Sequence, residues 1–233
     1  MRAMILAAGR GTRLGELGRT IPKVLVDIGG QPLLARQIDY LQDNGVERIV
    51  VNAHHLADKV EDFVAEHPQA DDIEVVVEPK LLGTAGGVRN ALPKLGEEAF
   101  VVLYGDVIVD EPIGAVSEVH RRARASATLT LYRTAEVEGK GTVELAPGGK
   151  VSAFHEKASS QVDGGDVYVN AGLYIIDPSL VRDLPSGVEL DFGHDVFPAA
   201  LAQGRTIATH ILPTPVIDMG TPAALDLARD RLG

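Results

Sequence analysis

Residues 4–15 read MILAAGRGTRLG, an apolar run that breaks into glycines and two arginines, and how that break is read decides the fold. A β-rich run ending in glycines presents backbone N–H groups at the carboxyl edge of a sheet, where phosphate is commonly held. A P-loop needs four residues between its first glycine and a Gly-Lys-Ser/Thr triplet, and the chain contains no such string. The dinucleotide fingerprint Gly-x-Gly-x-x-Gly opens a helix. Here Gly9-Arg10-Gly11-Thr12-Arg13 is followed by Leu14, so leucine stands where the third glycine lets helix and strand pack closely. What remains is a long excursion through Gly15 and Gly18 to Lys23, expected as a loop rather than a helix. It has the reach to wrap a triphosphate between backbone N–H groups, Arg13 and Lys23.

The run before the loop is one of a series. AMILAA (residues 3–8), VERIVVNA (46–53), IEVVVE (73–78) and AFVVLYGD (99–106) are short apolar runs expected to form buried strands. Helical stretches lie between them. In residues 31–45, Leu34, Ile38 and Leu41 repeat at i, i+4, i+7, with Pro32 near the first turn and Asn44-Gly45 as a stop signal. This alternation predicts an α/β fold: a Rossmann-like, mostly parallel sheet flanked by helices, with ligands at the carboxyl ends of its strands. In the second half the pattern changes. Residues 126–134, 141–146, 150–157 and 166–177 read as partly antiparallel strands, followed by helices over 194–203 and 221–231. They are expected to form a small lid-like region within one compact unit, since no Pro-, Gly- or Ser-rich linker and no repeat interrupts the chain.

Composition narrows the chemistry. With 233 residues, 45% of them hydrophobic and 24% charged, the chain is expected to fold rather than stay disordered. The absence of cysteine excludes disulfides, thiolate metal ligands and a cysteine nucleophile. A formal charge of −11 argues against nucleic acid or an anionic membrane as partner, so any anionic ligand must be met by local cations. The apolar runs are too short to span a bilayer, and Arg10 falls where a signal peptide needs an apolar core, so a cytoplasmic location is expected. His54, His55 and His155 lack the spacing of a metal set and read as structural.

Residues 6–14, LAAGRGTRL, with Lys23 nine positions after Leu14, resemble the signature of sugar-1-phosphate nucleotidylyltransferases. The resemblance continues in order through LLGTAGGVRNAL (81–92), YGDV (104–107), GTV (141–143), FHEK (154–157), VNAGLYIID (169–177) and IDMGTP (217–222). It is strongest to the short bacterial members that make GDP-mannose, GDP-heptose or UDP-activated amino sugars. It implies a glycosyltransferase-A-like fold with a nucleotide-binding half (1–110) and a sugar-binding half (111–233). The implied reaction is attack of a sugar-1-phosphate oxygen on the α-phosphorus of a nucleoside triphosphate, releasing pyrophosphate. A homodimer is compatible with the resemblance.

The resemblance also implies site roles. Asp106 and Asp218 would hold Mg²⁺, a hard cation suited to two carboxylates, phosphate oxygens and water. Arg13 would hold the departing pyrophosphate and Lys23 the α-phosphate, making Arg13, Lys23 and Asp106 the catalytic set. Leu6, Ala7, Ala8, Gly9, Gly11, Thr12, Glu78, Gly83 and Thr84 would bind the nucleotide. Lys157 would take the sugar phosphate, and Glu156 and Asn170, with the backbone near Gly141, the sugar hydroxyls. A carboxylate at Glu78 suits the N–H edge of guanine, which favours GTP with a manno-configured sugar-1-phosphate. Open alternatives are UTP or dTTP with glucose-1-phosphate or an amino-sugar-1-phosphate such as N-acetylmuramate-1-phosphate, a cytidylyltransferase, or a non-catalytic nucleotide-sugar sensor. Two departures stand out: residues 15–17 lack the usual Pro-Leu-Thr, and Lys140 stands where an aromatic often precedes the sugar-site glycine.

Overall fold

A computed structural model describes residues 1–137, 139–155 and 167–232. The chain first lays down β1 (Arg2–Leu6), α1 (Glu16–Thr20), β2 (Asp27–Ile28), β3 (Gln31–Pro32), α2 (Leu33–Asp43), β4 (Arg48–Ala53), α3 (Ala57–Ala65), β5 (Ile73–Val77), α4 (Gly83–Leu95) and β6 (Phe100–Tyr104). It continues with β7 (Val107–Ile108), α5 (Ile113–Ala123), β8 (Ala127–Thr134), β9 (Thr142–Ala146), β10 (Lys150–His155) and β11 (Val167–Ile176). Then come α6 (Phe197–Ala202), β12 (Ile207–Ile211), β13 (Ile217–Asp218) and α7 (Pro222–Leu232).

Nine strands form one sheet in the order β5-β4-β1-β6-β11-β8-β12-β10-β9. Its first four strands are parallel, as the early strand–helix alternation demands. β11 then runs antiparallel to both β6 and β8, so the second half of the chain extends the same sheet. The antiparallel pair β9 and β10 lies at its far edge, and β9 also pairs with β11.

The apolar runs lack period-2 alternation because both faces of the sheet are covered. Leu34, Ile38 and Leu41 of α2, Val60 and Val64 of α3 and Val116 of α5 are buried on one face. The other face packs Val88 and Ala91 of α4 and Phe197 of α6 around Tyr174. The rings of Phe192 and Phe197 meet Tyr174 edge-on at centroid separations of 5.8 and 5.4 Å, arrangements favourable to the ring quadrupoles. Among the described residues, no helix is long and apolar enough to cross a membrane.

The first loop differs from expectation. It contains a 3-10 turn, Thr12–Leu14, and the five-residue α1. Apolar contacts explain the ordering. Leu14 is buried in a third cluster with Val26, Ile28 and Leu33, to which Met219 and Leu225 near the C-terminus also belong, and Leu17 packs against it. The loop folds back tightly enough that a Cβ on Gly18 would lie 2.2 Å from the Gly11 carbonyl oxygen. His55 Nε2 donates to the Gly18 carbonyl at 3.1 Å and Lys59 Nζ to that of Thr20 at 2.7 Å, bracing the loop from the β4–α3 side.

Candidate active site

The carboxyl ends of β1, β4, β5 and β6 converge on a cleft of about 380 Å³. Leu6, Ala7, Ala8 and Gly9 line it from the end of β1, and Lys23 from the far end of the loop. Glu78 and Asp106 line it from the ends of β5 and β6, and Gly83 and Thr84 from the first turn of α4. Gly11 and Thr12 brace the loop through their carbonyls, which accept from Leu14 N–H at 2.9 Å and Gly15 N–H at 3.2 Å.

Lys23 and Asp106, both lining the cleft, form an ion pair. Nζ lies 2.6 Å from Oδ2, with 13% and 29% of the two side chains exposed. At an effective dielectric near 20 such a pair is worth roughly 4 kcal/mol before desolvation is charged against it. Asp218 is brought to Asp106 by the short β7–β13 ladder, in which Asp218 opposes Val107 and Met219 N–H donates to the Asp106 carbonyl at 2.8 Å. Burial pushes the Asp218 carboxyl above the usual carboxylate range, and the neighbouring Asp106 charge pushes it further. Lys23, the Gly220 N–H and Arg13 oppose that rise. Gly220 N–H donates to Asp218 Oδ1 at 2.8 Å.

Among the described residues, no group of three or more His, Cys, Asp and Glu side chains is placed to hold a metal. Two carboxylates suit Mg²⁺ that brings phosphate and water ligands with it, and a cation would offset both the burial of Asp218 and its repulsion by Asp106.

Arg13 and Asp218 line a second, wider cleft of about 930 Å³ together with Lys140 and Tyr132. Lys140, which departs from the aromatic often found there, sits 5.6 Å above the Tyr132 ring instead. The Tyr132 phenol is pushed up to about 12 by burial, then by the charges of Asp218 and Glu136.

Asn170 lies on β11 where that strand bulges between Asn170 and Tyr174. Its N–H donates to the Gly141 carbonyl at 2.9 Å, which joins the two residues expected at the sugar site. Its Nδ2 donates to the Tyr174 hydroxyl at 2.6 Å, and that hydroxyl to Tyr104 at 3.2 Å. Glu156 and Lys157 lie outside the described residues.

Several cleft residues escaped the sequence. Glu189 and Asp191 line the cleft from the segment before α6. That segment straps across the start of α4: Ala85 and Gly86 donate backbone N–H groups to the Leu190 carbonyl at 2.9 and 3.1 Å, and Thr84 Oγ1 donates to Asp191 Oδ2 at 2.8 Å. The first two glycines of LLGTAGG, Gly83 and Gly86, make room for the strap. A Cβ on Gly83 would fall 2.4 Å from the Leu190 carbonyl oxygen, and one on Gly86 2.4 Å from that of Val188. Asn52, the one polar side chain in RIVVNA apart from its first residue, is a cleft residue that the burial pattern signals only once the strand is recognised as covered on both faces.

Residues 2–231 match the family model described as nucleotidyl transferase. The chain belongs to this family. Its nucleotidyltransferase relatives include a UTP–glucose-1-phosphate uridylyltransferase of Synechocystis sp., 32% identical over 235 residues, covering 94% of this chain and 60% of the relative. A mannose-1-phosphate guanylyltransferase of Mycobacterium tuberculosis is 32% identical over 225 residues, covering 94% of this chain and 61% of the relative. The chain therefore spans about 60% of the length of these curated relatives. Among solved structures, HddC of Yersinia pseudotuberculosis complexed with GMP-PN superposes with a TM-score of 0.85 at 27% identity, covering 100% of this chain and 99% of that one.

Proposed function

We propose that this nucleotidyltransferase joins a nucleoside triphosphate to a sugar-1-phosphate, releasing pyrophosphate, with GTP and a manno-configured hexose- or heptose-1-phosphate as its substrates. The observation that carries the proposal is the convergence of Lys23, Asp106 and Asp218 beside a glycine-lined cleft of about 380 Å³. The preference for guanine leans on the guanylyltransferase relatives and on the GMP-PN complex of HddC.

In this mechanism a sugar-phosphate oxygen attacks the α-phosphorus in line. The bond to the bridging oxygen breaks, and pyrophosphate leaves with its electron pair. No covalent intermediate is needed, so the protein's part is positioning and charge neutralisation. Asp106 and Asp218 would hold Mg²⁺, which when bound neutralises phosphate charge and polarises the α-phosphate. Lys23 turns from Asp106 toward the α-phosphate. Arg13, entering from the wider cleft, holds the pyrophosphate. Residues 1–110 supply most of the nucleotide cleft, which Glu189 and Asp191 complete, and the sugar lies against residues 111–233, with Gly141 and Asn170 at its hydroxyls.

The test is a grid of GTP, UTP, dTTP, CTP and ATP against hexose-, heptose- and amino-sugar-1-phosphates with Mg²⁺, read as pyrophosphate release. GTP with a manno-configured sugar is expected to give the highest kcat/KM. Silence across the grid overturns the activity, and a UTP optimum overturns the choice of base.

A further inference from the structure

β4 lies between β1 and β5 in the sheet, and each of these neighbours ends at a wall of the nucleotide cleft. Asn52, near the end of β4, touches both walls. Its Oδ1 accepts from the Ala7 N–H at 2.7 Å, and its Nδ2 donates to Glu78 Oε1 at 2.6 Å. The other carboxylate oxygen of Glu78 accepts from the Leu82 N–H at 3.1 Å, just before the turn into α4. Asn52 and Glu78 are only 2% and 1% exposed.

The residue types follow from the partners. The central position must accept toward an amide N–H and donate toward a carboxylate, which an asparagine does and an aspartate cannot. The Glu78 position must accept at both oxygens, which a carboxylate does and a glutamine cannot. Burial raises the Glu78 carboxyl above its ordinary range, so keeping a charge there, beside a cleft for a polyanion, has a cost. Gly87 leaves the needed space, since a Cβ there would lie 2.8 Å from both Asn52 Nδ2 and Glu78 Oε1.

We propose that Asn52 and Glu78 are positioning residues that set the spacing between the Ala7–Gly9 backbone and the turn at Leu82–Gly83, acting on nucleotide affinity as a whole and not on the choice of base. This inference rests on the proposed nucleotide site but not on turnover. Both Glu78 oxygens are already engaged by protein donors, and almost none of its surface is open to a base. Base discrimination then falls to other groups around the cleft.

The experiment measures calorimetric Kd values of GTP, UTP and dTTP for the wild type, Glu78→Gln and Asn52→Ala, with the sugar-1-phosphate KM and the thermal midpoint of each. Each variant is expected to weaken every bound triphosphate about 10-fold, the scale of one lost hydrogen bond to a charged group. The ratios between bases and the sugar-1-phosphate KM are expected to stay within about threefold. The double variant Asn52→Asp/Glu78→Gln, which restores a donor opposite an acceptor, is expected to recover part of the loss. A change above about 10-fold in base preference in Glu78→Gln overturns the inference by placing the carboxylate on the base. Unchanged triphosphate affinity, or an equal loss for both substrates, overturns it as well. If Asn52→Ala does not fold, the near-isosteric Glu78→Gln decides. If the wild type binds no triphosphate, it is the proposed function that fails.

Discussion

Lys23 and Asp106 neutralise each other at 2.6 Å, so the lysine occupies the carboxylate that a divalent cation would use. Lys23→Met is expected to lower turnover about 100-fold through loss of a cation at the α-phosphate, while strengthening Mn²⁺ binding severalfold in the absence of nucleotide. Turnover assays and Mn²⁺ titration followed by electron paramagnetic resonance check both halves. An unchanged Mn²⁺ affinity would show that the ion pair does not compete with the cation. Asp106→Asn and Asp218→Asn are each expected to cost at least about 100-fold in kcat, roughly 2.7 kcal/mol of transition-state stabilisation. Near-wild-type rates in either would remove that aspartate from the metal site. The sequence motifs pointed to both aspartates. That Lys23 rests on one of them is a fact of tertiary structure, because the residues are 83 positions apart.

At the scale of elements, the strap before α6 and the start of α4 depend on each other. Gly86→Ala gains about 1 kcal/mol of helix propensity but sets a methyl group 2.4 Å from the Val188 carbonyl oxygen. Overpacking against backbone costs about 1–3 kcal/mol, so a net loss of stability is expected in urea denaturation, together with weaker nucleotide binding as Asp191 and Glu189 shift. A stabilised variant would show that the strap yields freely. Helix α5 supplies a pH-dependent contact. Burial depresses the His120 pKa below its usual value despite the opposing Asp177 charge, and its Nδ1 lies 3.0 Å from Thr128 Oγ1. The neutral ring is therefore the form that suits the fold. Its contribution is fully present above about pH 6.5, the unfolded value, and is lost as pH falls through the lower folded value. His120→Asn is expected to lose less stability than the wild type between pH 7.5 and 5, as measured by denaturant midpoints. Parallel losses in the two proteins would count against it. Periodicity made α2 legible through Leu34, Ile38 and Leu41. The strap was not legible, because its role lies in backbone carbonyls that any sequence carries.

Across the whole molecule, the aromatic cluster ties the second half of the sheet to the site. Phe197 stacks on Phe192 at 5.3 Å and meets Tyr174, whose hydroxyl connects Asn170 to Tyr104. Phe197→Ala is expected to cost about 3–5 kcal/mol in denaturant unfolding, since the ring is fully buried. A loss below about 1 kcal/mol would mean that the core closes over the gap. The sequence by itself determined the parallel half of the sheet and the glycine-rich loop directly after β1, and it singled out the two aspartates proposed for the metal, because these depend on local apolar runs and on residue types at short spacing. It expected no helix between Gly11 and Lys23, because the burial of Leu14 against Met219 and Leu225 is a contact between opposite ends of the chain. Only the tertiary structure decided that the second half extends the same sheet, that Asn52 and Glu78 bind each other across two strands, and that Glu189 and Asp191 border the cleft. Strand order and cross-sheet hydrogen bonds are set by how distant segments bury one another, and no short window of sequence contains both partners.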